Sequence, residues 1–384
     1  MKNYASIFWT AFLLGCTSFG GPAAHVSYFR KEYVERKQWL DDRSFADLVA
    51  LSQFLPGPAS SQVGIGIGLI RGGLFGSVLS FVGFTLPSVV LLMLFGFWLT
   101  SGDVDTSWLH GLKLVAIAII AQAVVEMWQK LVVKRWQMLI VIGTIVVLLL
   151  LSSIYWQVVV LLVAGLIGYF TPFHNQEAAQ PMKQVLSKKL GAVFLALFAV
   201  GLVVVPIVAR VSELEWLVLA EKFYLTGAFV FGGGHVMLPF LESQFVQAGY
   251  VSMEQFLAGY GATQAVPGPL FTFASYLGMV IGGVPIAILA TVAIFLPGFL
   301  LVLGVFPFWM SLSGQPRFRG AMSGINAAVV GLLAATLFSP VITKTVASSL
   351  DVLLAGIFFV LLMKWKVKPL VVVTLGFFCG FIFY

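Results

Sequence analysis

The run Gln53-Phe-Leu-Pro56-Gly57-Pro58 sits in strongly apolar sequence, and Gln264-Ala-Val-Pro267-Gly268-Pro269 repeats it 211 residues later. Proline removes a backbone N–H and stops a helix, while glycine permits backbone shapes that other residues resist. In lipid no water satisfies a broken backbone, so such a break must be buried in protein or line a cavity. A break that recurs at corresponding points of two halves marks a substrate site in a membrane carrier.

The lipid setting follows from composition. Of 384 residues, 60% are hydrophobic and 10% charged, and the mean hydropathy is +1.02. Soluble domains carry about 25% charged residues. Apolar stretches long enough to cross a bilayer recur along the chain and are continuous rather than alternating, which selects helices over a β-barrel. The expected fold is therefore an all-α polytopic membrane protein. No Walker-type glycine loop is present, which argues against a fused ATPase. The two cysteines, Cys16 and Cys379, and four histidines form no ligand pattern, so no metal and no cofactor is expected. The net charge of +7 is read as the basic bias of cytoplasmic loops, not as a nucleic-acid surface.

The repeat extends beyond the breaks. Phe19-Gly20-Gly21 corresponds to Phe231-Gly232-Gly233, Trp39 to Tyr250, Phe45 to Phe256, Gly72-Gly73 to Gly282-Gly283, and Leu86-Pro87 to Leu296-Pro297. The chain is thus expected to hold an N-terminal transporter repeat at 1–171, a cytoplasmic linker at 172–188 and a C-terminal repeat at 189–384, the last preceded by a linking span at 189–209. Each half is expected to begin with an apolar helix carrying the glycine motif (5–25; 222–240). A polar segment follows (26–43; 241–253), then the broken unit (45–71; 256–281). Helices at 74–98, 109–128, 137–154 and 155–171 complete half one; those at 284–308, 320–339, 346–363 and 370–384 complete half two.

At 1.5 Å per residue, 45–55 and 58–71 make helices of about 16 and 21 Å, too short for a hydrocarbon core of about 30 Å. The unit is either a re-entrant hairpin or one discontinuous helix. Arg30, Lys31, Arg36, Lys37 and Arg43 place segment 28–43 in the cytoplasm. Its counterpart 241–253 has no Lys or Arg. Arg317 and Arg319 occupy the next loop of half two, where half one has Asp103 and Asp105. The bias inverts between halves, which points to inverted-topology repeats with about ten or eleven crossings. Counting every apolar segment as a crossing would instead make the halves parallel.

A half-helix starting at Pro58 or Pro269 offers free N–H groups and about half a positive charge to an anion. Ser60, Ser61 and Gln62 lie in the first turn after one break and Thr272 after the other. Gln53 and Gln264 precede the breaks. The bland alternative, a pair of packing kinks, explains a lone break better than a duplicated one. Gly20, Gly21, Gly232 and Gly233 serve close helix packing or an anion-cradling backbone nest. His25 and His235 follow these glycines at different spacings and are candidates for proton coupling or anion attraction. Arg30 and Arg71 are candidates for drawing an anion to the cytoplasmic mouth, against the simpler role of interfacial anchors. Asp47, His110, Lys113 and Glu126 are scattered and receive no role.

Together these residues resemble the chromate ion transporter family in its long, two-domain form. The resemblance rests on Phe19-Gly20-Gly21-Pro22-x-x-His25, on Arg30 through Trp39, on the two Gln-x-x-Pro-Gly-Pro runs, and on Phe231 to Pro239. It implies efflux of chromate, with sulfate as a related dianion, by a secondary mechanism in a bacterial inner membrane, conferring chromate resistance. The binding residues would be those around the two breaks. An uptake carrier for sulfate or another oxyanion and a passive channel remain open alternatives, as does a homodimer. An enzyme is not expected, because no nucleophile–base pair or metal set is recognisable.

Overall fold

A computed structural model describes residues 3–101, 107–151, 154–171, 185–212, 214–231, 233–313 and 315–384. Asp103, Asp105, Gly232 and residues 172–184 of the linker lie outside the described residues. The described chain is helical and without strands: an all-α, multi-pass membrane protein built from two repeats. Half one comprises α1 (Tyr4–Thr17), α2 (Gly21–Phe29) running into a π-helical turn (Arg30–Arg36), α3 (Asp42–Phe54), α4 (Ala59–Thr100), α5 (Ser107–Leu131), α6 (Arg135–Leu150) and α7 (Ile154–Phe170). The linking helix α8 (Lys188–Ser212) follows. Half two comprises α9 (Glu215–Phe229), α10 (Met237–Leu241) with a π-helical turn (Glu242–Val246), α11 (Met253–Ala265), α12 (Phe273–Val305), α13 (Trp309–Ser313), α14 (Pro316–Thr336), α15 (Thr343–Thr345), α16 (Ser349–Met363) and α17 (Pro369–Phe383).

The first helix of each half stops before its glycine motif instead of running through it. α1 ends at Ser18, and α2 starts anew behind Gly20, whose φ of 96° is left-handed. α9 likewise ends at Val230. The polar segments expected after these motifs are largely helical, continuing as the two π-helical turns.

Contacts divide the chain into two compact units that cut across the halves. One holds Met1–Phe95, His174–Gly234 and Pro267–Pro316, and the other holds Gly96–Phe173, His235–Val266 and Arg317–Tyr384. In the first unit, α4 is not one rod. At Gly73 (φ 67°, ψ −157°) the chain reverses, and Ser80 Oγ donates to Gly64 O at 2.8 Å. Along a straight helix those residues would stand about 24 Å apart. α4 is therefore a hairpin of a short limb, 59–72, and a long limb, 74–100. α12 reverses in the same way at Gly283 (φ 69°, ψ −160°), where a Cβ on Gly278 would lie 2.6 Å from Ile286 O.

α3 also folds back on the short limb of α4. A Cβ on Gly66 would lie 2.6 Å from Leu48 Cδ2, and these residues are equally far from Gly57 along the chain. The broken unit of half one is thus the re-entrant hairpin of the two options. α1 and α2 form a second one. Tyr4 stacks edge-on to Phe75 at 5.1 Å, and Gly15 meets Phe84 O. His25 and Phe29 pack on Phe84 at 5.5 and 5.0 Å, and beyond α2 Trp39 lies against Arg71 at 5.0 Å. The chain therefore goes from the Gly73 end to the level of Phe84 and returns. Both hairpins stand on one end of the long limb 74–100, and the tip between α1 and α2 lies level with Phe84, near the limb's middle. The buried cluster of Phe29, Tyr33, Leu48, Leu51, Val63, Ile67 and Phe84 holds them there.

In the second unit α5 is the central helix, packed on α11, α16 and α17. Glycines set the approach: Gly111 meets Gly376 and Gly380 of α17, while Gly168 of α7 meets Gly320 of α14. Each contact joins one half to the other. Two helix starts repeat one design with different chemistry. Gln137 caps α6 and donates to Ser323 Oγ at 2.7 Å; Asp351 caps α16 and bonds His110 Nε2 at 3.0 Å.

Candidate functional site at the paired helix breaks

The two breaks adopt one backbone form. Gly57 has φ 113° and Gly268 φ 107°, values open to glycine and resisted by other residues. Each glycine N–H reaches the opposite half. Gly57 N–H donates to Val230 O at 2.7 Å, and Gly268 N–H donates to Ser18 O at 2.9 Å. Val230 and Ser18 are the corresponding C-caps of α9 and α1. The break of each half is thus fastened to the segment leading into the other half's glycine motif. Packing repeats the exchange: a Cβ on Gly57 would lie 3.1 Å from Gly298 Cα, and one on Gly268 would lie 2.7 Å from Ser88 Oγ. Ser88 and Gly298 both follow the repeated Leu-Pro. The first unit therefore contains a pseudo-two-fold arrangement with both breaks at its centre. The contact of Gly268 with Ser88 sets that break level with the middle of limb 74–100.

The side chains obey no such symmetry. Gln62 is fully buried; its Nε2 donates to Pro56 O at 2.8 Å and to Gly298 O at 3.3 Å. It holds the break closed and ties it to half two. Its Oε1 has no partner, and neither do the hydroxyls of Ser18, Ser52, Ser61 and Thr85. Ser60 is buried as well. A hydroxyl donates as well as accepts, so half one supplies uncharged donors to both breaks: Ser52 and Ser61 flank Gly57 in sequence, while Ser18 and Thr85 belong to the segments that meet Gly268. On the other side Thr272 Oγ1 is spent on Pro269 O at 2.6 Å, and Phe271 and Phe273 fill the space. A buried polar atom without a partner is costly, and several of them on the segments that meet at the two breaks make this the candidate place to receive a polar group.

The glycine motifs are open. Gly20 is exposed and Gly21 and Gly233 half-buried, and a Cβ at Gly21 or Gly233 would meet nothing within 4 Å. His25 is buried, its ring beside the Ser18 backbone, and neither nitrogen completes a well-formed hydrogen bond. His235 belongs to the second unit, where Nδ1 lies 2.5 Å from Tyr260 Oη. The two histidines thus occupy unlike surroundings.

The remaining candidates are dispersed. Pro56, Pro58, Pro267 and Pro269 are buried, whereas Gln53 is exposed. Gln264 is half-buried in the second unit, with Nε2 unpartnered. Arg30 is half-exposed and engaged by Asp42 and Glu35 at 2.7 and 2.6 Å; the Asp42 bond and charge raise its pKa further. Arg71 is exposed and stacks on Trp39. Ser18, Ser52, Thr85, Ser88 and Gly298 join the candidate site, and motif reading passed over them. The shared Leu-Pro preceding Ser88 and Gly298 was the available signal.

The family described as Chromate transporter matches residues 5–169 and 217–381, one copy on each half. Over 384 aligned residues the chain is 28% identical to a chromate transport protein of Pseudomonas aeruginosa, covering 97% of this chain and 90% of that one. It is 28% identical over 370 residues to a chromate transport protein of Cupriavidus metallidurans, with 92% and 86% covered. With a probable chromate transport protein of Synechococcus elongatus it shares 26% over 375 residues, with 94% and 91% covered. No solved structure matches. Matched along both repeats, the chain belongs to the chromate transporter family.

Proposed function

We propose that this protein is a secondary transporter that carries chromate out of the cytoplasm across a bacterial inner membrane and so confers chromate resistance. The observation that carries the reading is the reciprocal pair of bonds, Gly57 to Val230 and Gly268 to Ser18. They fasten each half-helix start to the other half, and a helix start carries N–H groups and a positive dipole end that suit a tetrahedral dianion. The substrate assignment is supported by the relatives named as chromate transport proteins. Ser60 and Ser61 belong to the anion side, Gln62 holds the break in place, and Phe271 and Phe273 form a packed gate. Sulfate, of like shape and charge, is the natural competitor.

Topology supports a carrier of inverted repeats. Re-entrant hairpins return the chain to the side from which they came. On this count α1, α2 and α3 contribute no crossing, and four segments of half one cross: limb 74–100, α5, α6 and α7. α8 crosses next, so half two, with its own four, starts from the opposite side. Nine crossings result, and the basic residues at 28–43 keep the chain start cytoplasmic. The repeats are then 1–171 and 189–384, joined by the linker at 172–188. An inside-negative potential of 100 mV favours exit of a dianion by about 4.6 kcal/mol, twice the value for one charge. Voltage alone therefore suffices to drive efflux.

Chromate uptake into inverted vesicles, with voltage and pH gradients imposed separately, tests the reading. Saturable, voltage-driven uptake that shows counterflow of labelled chromate is expected. Flux without counterflow would indicate a channel, and uptake only into right-side-out vesicles would indicate an importer.

A further inference from the structure

The second unit contains a cavity of 270 Å³ that the break site does not use, lined in part by Gln157, Glu242, Gln247, Thr336, Ser339 and Lys344. Glu242 is 2% exposed. Its Oε2 accepts from Gln247 Nε2 at 3.0 Å, but its Oε1 has no partner. Gln157, 8% exposed, donates its amide to Pro239 O at 3.5 Å, and its Oε1 is also unpartnered. One cavity thus holds two buried acceptors without a partner, and Lys344, which lines the same cavity, makes no ion pair with Glu242 among the described residues.

We propose that Glu242, with Gln157, forms a proton-binding site in this cavity. A protonated carboxyl supplies the missing donor: its O–H can serve Gln157 Oε1 directly or through water, for which the cavity has ample room. Glu242 and Lys344 are the only titratable groups among the lining residues. α6, α7 and α14 contribute Leu148, Gln157, Leu332, Ala335 and Thr336, none of which titrates. Glu242 opens the π-helical turn of half two as Arg30 opens that of half one. Half one carries an exposed, paired cation there, and half two a buried carboxylate. The corresponding position of half one therefore offers no equivalent carboxyl for a proton. As a coupling site for transport, Glu242 rests on the transporter reading above; as a proton site it stands on the cavity.

The test uses full-length protein in lipid. Infrared spectra recorded as pH is lowered should show a protonated-carboxyl band that is lost in Glu242→Gln and kept in Glu242→Asp. In Gln157→Leu the midpoint of that band should fall, because the acceptor favouring the neutral form is gone; this variant preserves the test if Glu242→Gln does not fold. In proteoliposomes, acceleration of chromate flux by a pH gradient should be lost in Glu242→Gln. A band unaffected by either substitution, a response to pH gradients that survives Glu242→Gln, or a dependence on sodium in place of pH would overturn the proposal. If the wild-type chain moves no chromate at all, the transport reading fails, and the infrared result still decides the proton site.

Discussion

Replacing Gly57 or Gly268 by alanine tests the paired-break architecture most directly. Both glycines hold φ near 110°, where an L-residue carries strain of about 1–3 kcal/mol. The added methyl at Gly57 would stand 3.1 Å from both Gln62 Nε2 and Gly298 Cα; at Gly268 it would stand 2.7 Å from Ser88 Oγ. Overpacking of this kind adds about 1–3 kcal/mol. Each variant should therefore lose roughly 2–6 kcal/mol of stability in all. The two losses should be similar, because the backbones are related by the pseudo-two-fold. Relief should differ. Ser88→Gly opens space for the Gly268→Ala methyl and should return the packing part, leaving the strain. Gly57→Ala has no such remedy, since Gly298 is already glycine. The assays are equilibrium unfolding in detergent and the initial rate of chromate uptake into inverted vesicles. If both alanine variants fell within about 0.5 kcal/mol of wild type, the range of a neutral surface change, and transported normally, the breaks would not be the structural centre argued here. A Ser88→Gly substitution that failed to relieve Gly268→Ala would refute the packing exchange in particular.

Other outcomes follow from single residues. Gln62→Leu leaves Pro56 O and Gly298 O without their donor; unfolding should show a loss of about 1–3 kcal/mol together with lost chromate flux. Gly111→Leu forces α5 from α17 at the contact with Gly376, so folded yield in detergent should fall sharply while Gly143→Leu, which meets no neighbour, is tolerated. Asp41 caps α3 by accepting from Ser44 N at 2.7 Å, and that bond lowers its pKa. A lowered folded pKa means the cap's contribution is present above the unfolded aspartate value and lost as pH falls through the folded one. Asp41→Ala should thus cost about 1 kcal/mol at neutral pH, and unfolding curves of the two proteins should converge in strong acid. Arg30→Ala, in an exposed ion-pair set, should leave unfolding unchanged; a large loss would mean that the pairs stabilise more than exposed pairs do.

Composition and periodicity are local properties of the chain, and they carried the membrane class, the helical fold, the two-fold repeat and the position of both breaks. Pro56-Gly57-Pro58 and Gly72-Gly73 interrupt helices by covalent geometry alone, so their effect is legible without a partner. What those interruptions do to chain direction is not local. A kink and a reversal have the same residues, and only the approach of Ser80 to Gly64 and of Leu48 to Gly66 makes hairpins of them. The same limit hid the stopping of α1 at Ser18, because the glycine motif reads equally well as a packing face inside a longer helix. Gln62 was singled out as a free donor from its place in a first turn; packing against Gly298 spends its amide on two carbonyls and leaves only its Oε1 free. Ser18 and Thr85 gave no signal because a serine or threonine in an apolar helix usually bonds its own backbone, and only tertiary burial shows which hydroxyls do not. The sequence by itself determined that two helix breaks must be buried in a bilayer protein of two related halves, since lipid leaves a broken backbone no other choice. Tertiary structure alone decided that each break is fastened to the other half, because a hydrogen bond between residues 57 and 230, or 18 and 268, exists only once distant segments meet.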